Sequence, residues 1–95
     1  MKDINEIIKK CTDGDREAWE ELVQTYIKFI FKIINNKLAL SHAFYMQQDV
    51  PDIAQEALES LIEDNFKRLK SFNGDCQFST WLAVVVGRFT INYLK

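Results

Sequence analysis

DREAWEELVQTYIKFIFKIINNKLA, residues 15–39, decides the fold of this chain. Trp19, Leu22, Val23, Tyr26, Ile30, Ile33 and Ile34 recur at spacings of three and four, the period of an α-helix that buries one face. Around Phe29, Ile30, Phe31, Ile33 and Ile34 the helix is apolar on more than one side, as suits a central helix packed by several neighbours. These aromatics read as core.

The flanking segments repeat the pattern. Ile4, Ile7, Ile8 and Cys11 precede it; Ile53, Ala57, Leu58 and Leu61 follow, and then Phe78, Trp81, Leu82, Val85, Phe89 and Tyr93. Asp3 with Glu6 resembles a capping box, TDGD (12–15) ends one helix and lets Asp15 cap the next, and Asp49 with Pro51 opens a third. The sequence predicts an all-α, compact bundle of about four helices, near 3–12, 15–39, 50–71 and 78–94, in a single domain over 1–95. Val84, Val85 and Val86 have strand propensity, but no second strand pairs with them, so this segment is read as helix. The connector LSHAFYMQQ (40–48) carries no clear pattern.

Ninety-five residues that are 47% hydrophobic and 27% charged, with three Gly and one Pro, fit one folded domain with a modest core. Lys32 interrupts the greasiest run, FIFKII (29–34), so no membrane span is expected, and MKDINEIIKK has no secretory apolar region. A cytoplasmic protein with two reduced, non-functional thiols, Cys11 and Cys76, is the expectation. The net charge of −2 hides a polarity: residues 1–65 hold 7 Lys/Arg and 13 Asp/Glu, net −6, and residues 66–95 hold 5 Lys/Arg and only Asp75, net +4. That division leaves room for two different partners.

On a helical wheel the third helix gathers Ile53, Ala54, Ala57, Leu58, Leu61 and Leu69 on one side. The other side carries Asp52, Glu56, Glu59 and Glu63, followed by Lys67 and Lys70. Acids early and lysines late complement the helix dipole, and Glu63 with Lys67 is a favourable i,i+4 pair; the rival reading is a docking stripe for a basic partner. The fourth helix has Arg88 and Lys95 but no acid. Its buried side is expected at Phe78, Trp81, Leu82, Val85, Phe89 and Tyr93, which leaves Thr80, Ala83, Val84, Gly87, Ile91 and Leu94 as a small or apolar outer strip, the kind that marks a contact surface.

GDREAWEELVQTY (14–26), DIAQEALESL (52–61), FNGDCQFSTWL (72–82) and INYLK (91–95), in this order, resemble region 2 of bacterial RNA polymerase sigma factors of the extracytoplasmic-function type. The resemblance spans nearly the whole chain. It implies an all-helical module with two roles. Asp52, Gln55, Glu56 and Glu59 would bind the basic clamp helices of the largest subunit of core RNA polymerase. The loop 73–77 and the last helix would hold the unwound, single-stranded minus-ten promoter element, with a flipped base in a pocket; an anti-sigma factor is a further partner in such systems. The candidate DNA contacts are Asn73, Gln77, Ser79, Thr80, Arg88, Asn92 and Lys95, polar or basic groups of a kind that read base edges and hold phosphates. Several have a structural alternative: Ser79 or Asp75 as a cap of the last helix, and Asn73-Gly74 as a turn.

The chain departs from the family where members commonly carry basic residues on the outer face of the last helix, at the positions of Val84 and Gly87. Each missing phosphate contact weakens DNA binding and its salt dependence. The connector 40–48 is longer than in compact members. No helix-turn-helix follows, and both a domain of a longer factor and a free-standing sigma-like protein fit this length. The alternatives to a promoter-binding module are a sigma-like interaction regulator that has lost promoter reading, and a generic helical domain. An enzyme is not expected: the sole histidine, His42, has no cysteine partner nearby in sequence, and there is no metal spacing, no paired carboxylates with an evident pocket and no phosphate-cradling glycine loop, so no cofactor is expected either.

Overall fold

Aspartates start the first two helices. Asp3 Oδ1 accepts the Asn5 amide at 3.0 Å, and Asp15 Oδ1 accepts those of Glu17 at 3.0 Å and Ala18 at 3.3 Å, which satisfies amides that have no partner within their helix. The computed structural model describes residues 3–40 and 49–93. They form α1 (Ile4–Thr12), α2 (Arg16–Leu40), α3 (Asp49–Lys70) and α4 (Phe78–Tyr93), an all-α bundle. The connector 41–48 with His42, and Leu94 and Lys95, lie outside the described residues.

Between α1 and α2 the chain turns within three residues. Gly14 takes φ +97°, its amide donates to the Cys11 carbonyl at 3.0 Å, and the Asp15 amide reaches back to Lys10 O at 2.9 Å. These are the two closing bonds of a Schellman turn, whose left-handed residue is best supplied by glycine. Asp15 therefore closes one helix with its backbone and opens the next with its side chain.

α2 packs against all three other helices. Ile30, Ile34 and Leu38 are sealed within the core, with Ile53, Leu61 and Leu69 from α3, Leu82 and Val86 from α4, and Ile8 and Cys11 from α1. Burial in this apolar site, reinforced by the negative charges of Asp15 and Glu21, pushes the Cys11 thiol from 9.0 up to about 11. Because the folded value is the higher one, the stability tied to this thiol is complete below pH 9.0 and fades as pH climbs towards about 11. Cys76 is free and exposed. The thiolate is the reactive species, so iodoacetamide at pH 8 is expected to modify Cys76 and spare Cys11 until the chain is unfolded, as mass mapping would show.

The third helix is not continuous. Glu63 is extended (φ −60°, ψ 154°), and Asp64, Asn65 and Phe66 are left-handed, with φ of 53°, 58° and 63°. A left-handed residue with a Cβ costs roughly 1–2 kcal/mol, less for Asp and Asn, whose short polar side chains tolerate it. Phe66 is half-buried against the core and holds the far side of the turn by its packing. Asp64→Gly is expected to raise stability by about 0.5–1 kcal/mol, because it relieves the steric cost where the side chain is exposed; the urea midpoint measures it. The break also corrects the wheel. The acidic stripe runs on regular helix only as far as the residue before Glu63, and the expected Glu63–Lys67 pairing on successive turns is interrupted by the left-handed residues.

α4 packs in part as expected, through Phe78 and Leu82, with its buried face rotated towards Val86, Gly87 and Thr90 and with Trp81, Val85 and Phe89 at the margin of the core. Phe78, Leu82, Val86, Gly87 and Thr90 are buried, whereas Trp81, Val85 and Phe89 are half-buried and Tyr93 is exposed. Thr90 lies in the core because its hydroxyl donates to the Val86 carbonyl at 2.8 Å and so brings no unsatisfied polar group with it. Gly87 and Thr90 are small, and the seam follows them.

Candidate protein and nucleic-acid interfaces

Ile53, Ala54, Ala57 and Leu61 are buried, which fixes the rotation of the regular part of α3 and turns Asp52, Gln55, Glu56 and Glu59 outward. All four are exposed. Gln55 Nε2 donates to Glu59 Oε1 at 3.4 Å, a long bond that ties neighbouring turns of the ridge. No basic side chain among the described residues is paired with these carboxylates. Tyr93 of α4 joins Asp52, Gln55, Glu56 and Glu59 around a shallow concavity of about 290 Å³, so the ridge has an aromatic neighbour that the sequence did not assign to it. Chemically it is an exposed acidic surface with one phenol at its edge.

On the other part of the molecule, the loop 73–77 is held at both ends by aromatic rings. Phe72 meets Phe78 edge to face, centroids 5.3 Å apart at 85°, and Trp81 lies 5.5 Å from each of them. Tyr26 of α2 closes the cluster at 5.1 Å from Phe78. Within the loop, Gly74 takes φ +85° and Asn73 Oδ1 accepts the Asp75 amide at 3.0 Å. The turn at Asn73-Gly74 is thus real, and it leaves the Asn73 amide hydrogens for other partners.

Neither Ser79 nor Asp75 occupies the cap of α4. The Gln77 carbonyl accepts the first helical bond, from Trp81 N at 3.1 Å, which puts Gln77 at the N-cap and Ser79 inside the first turn. Asn73, Gln77, Thr80, Arg88 and Asn92 are exposed and Ser79 is half-buried; Lys95 lies outside the described residues. Gln77, Ser79 and Thr80 lie at the start of α4, next to the loop, while Arg88 and Asn92 lie further along the helix.

Arg88 belongs to a feature that the sequence does not reveal. A groove of about 570 Å³ runs between the broken end of α3 and α4, lined by Ser60, Ser71, Lys67, Arg68, Trp81 and Arg88 among others, with Glu63 and Asp64 also in its wall. On the wheel Lys67 ends the acidic stripe, but the left-handed turn places it and Arg68 opposite α4. The only hint in the sequence is the change in the sign of charge after residue 65.

The expected apolar outer strip of α4 is interrupted. Val84 and Ile91 are 48% and 43% exposed, but Gly87 between them is buried and Ala83 is half-buried. Among the described residues no group of three or more His, Cys, Asp or Glu is placed to hold a metal ion, and no helix is long and apolar enough to cross a membrane.

Comparison with known proteins adds to this geometry. The ECF RNA polymerase sigma-E factor of Haemophilus influenzae is 28% identical to the chain over 89 residues, covering 93% of this chain and 41% of that protein. The chain is similar to sigma factors. The sigma-E factor of Escherichia coli is 28% identical over 88 residues and that of Salmonella typhimurium 27% over 88 residues, each across 93% of this chain and 40% of theirs. The chain therefore spans about two fifths of the length of the curated relatives it matches. No family model matches it.

Proposed function

We propose that this chain is a sigma-factor region 2 module in transcription initiation, which docks on core RNA polymerase through α3 and takes melted promoter DNA on the loop 73–77 and α4. The observation that carries the reading is the ridge Asp52, Gln55, Glu56 and Glu59, exposed and without basic partners among the described residues, on a chain similar to sigma factors. A basic coiled coil, the clamp helices of the largest subunit, is its complement, since opposite charge speeds encounter and fixes register.

α4 supports the DNA-binding role. It has no acid between Phe78 and Tyr93, so a phosphate chain meets no fixed repulsion from it. Trp81 lines the same groove as Lys67, Arg68 and Arg88, with Glu63 and Asp64 also in its wall, and an aromatic face together with cations is what single strands use. Capture of core RNA polymerase by the immobilised chain tests the docking role. Retention at low salt that declines as salt is raised is the expected result, and no retention at any salt would remove the reading. A second reading, a sigma-like regulator that has lost promoter binding, draws on the exposed Val84 and Ile91; it requires that the chain have no affinity for single-stranded DNA.

A further inference from the structure

Of the three glycines, only Gly87 has another helix's side chain where its own would be. Gly14 and Gly74 serve backbone turns at positive φ, with open space where a Cβ would stand. Gly87 lies within regular helix and needs no glycine for its backbone. A Cβ there would come within 2.9 Å of Lys37 Cε and 3.8 Å of Lys37 Nζ. The lysine, in the last turn of α2, lies across α4 with the end of its stem over the bare backbone of Gly87.

Glycine in mid-helix costs about 1 kcal/mol relative to alanine. Here that cost opens a path across α4 for a side chain from α2. Lys37 is half-buried, which suits a lysine that covers apolar surface with its methylenes and keeps its ammonium in water. Val84 and Ile91, the exposed residues three before and four after Gly87, flank the crossing point along α4, and Arg88 follows directly in sequence. Arg88 is the one basic residue that α4 itself provides between Phe78 and Tyr93.

We propose that Lys37 is a phosphate-binding residue of the α4 face, delivered from α2 through the gap left by Gly87. The ligand is the sugar-phosphate backbone of single-stranded DNA, and the contact adds affinity without reading sequence. This rests on the proposal above that α4 carries DNA. It makes α2 part of the nucleic-acid surface and gives that surface a cation that the sequence of α4 lacks.

The test is binding of the 95-residue chain to a labelled oligodeoxythymidylate, followed by fluorescence anisotropy across a salt series, for the unsubstituted protein, Lys37→Met, Gly87→Ala and Arg88→Gln. Lys37→Met keeps the stem and removes the charge; its slope of log affinity against log salt is expected to fall by about 0.7, the value of one phosphate contact on a single strand. Gly87→Ala displaces only the flexible end of Lys37 and favours helix, so it is expected to lose part of the same slope while its Tm holds or rises. An unchanged slope in Lys37→Met, with Arg88→Gln lowering it, would overturn the role of Lys37 and leave DNA binding by α4 standing. No binding by the unsubstituted protein at any salt would overturn both.

Discussion

Gln55→Ala combined with Glu56→Lys is expected to abolish capture of core RNA polymerase while leaving the helical circular-dichroism signal and Tm nearly unchanged. Both side chains are exposed, on the face of α3 opposite buried Ile53, Ala54 and Ala57, and exposed substitutions usually move stability by no more than about 0.5 kcal/mol. For a basic partner the change is severe. A carboxylate becomes an ammonium in the middle of the ridge, and Glu59 loses the amide of Gln55 that steadies it at 3.4 Å. Like charges facing each other across an interface cost several kcal/mol, so a loss of affinity on the order of a hundredfold or more, about 3 kcal/mol, is expected. Wild-type retention by the double variant, with the fold intact, would mean that polymerase binds elsewhere or not through this charge.

The second large effect concerns stability. Phe78→Ala is expected to cost about 3–5 kcal/mol, the range for truncating a buried phenylalanine, which for a domain of this size lowers Tm by roughly 20 °C. Phe78 is 3% exposed and its ring lies within 5.5 Å of Tyr26, Phe72 and Trp81. One substitution therefore opens a cavity beside α2 and at the same time frees the loop 73–77 from the ring that holds its far end. Urea unfolding followed by tryptophan fluorescence measures it. A loss below about 1 kcal/mol would show that the site collapses around the truncation and that the aromatic cluster is not what positions the loop.

Much of the fold could be read from the residues because its determinants are local. Asp3 and Asp15 announce helix starts through side chains that bond amides two and three residues on, and the apolar period of α2 is long enough to leave no rival. The acidic ridge was legible for the same reason: Ile53, Ala54, Ala57 and Leu61 fix one side of α3, and the carboxylates take the other. α4 was not legible in this way. It is apolar nearly all round, so its pattern does not select a face, and the choice falls to Gly87 and Thr90, which are buried for their small size and for a hydroxyl that bonds its own helix. The break at 63–66 was hidden too, since each residue there is tolerated in a helix and only Asp64-Asn65 hints at a left-handed turn. Lys37 across Gly87 is a meeting of residues fifty positions apart, which no local pattern encodes.

The left-handed turn leaves Lys67–Lys70 as a single helical turn, too short to persist unaided because nucleating a helix is costly. Leu69, fully sequestered, pins it. The segment thus resembles a buckle, with Leu61 and Leu69 as the fixed points and residues 63–66 as the strap between them.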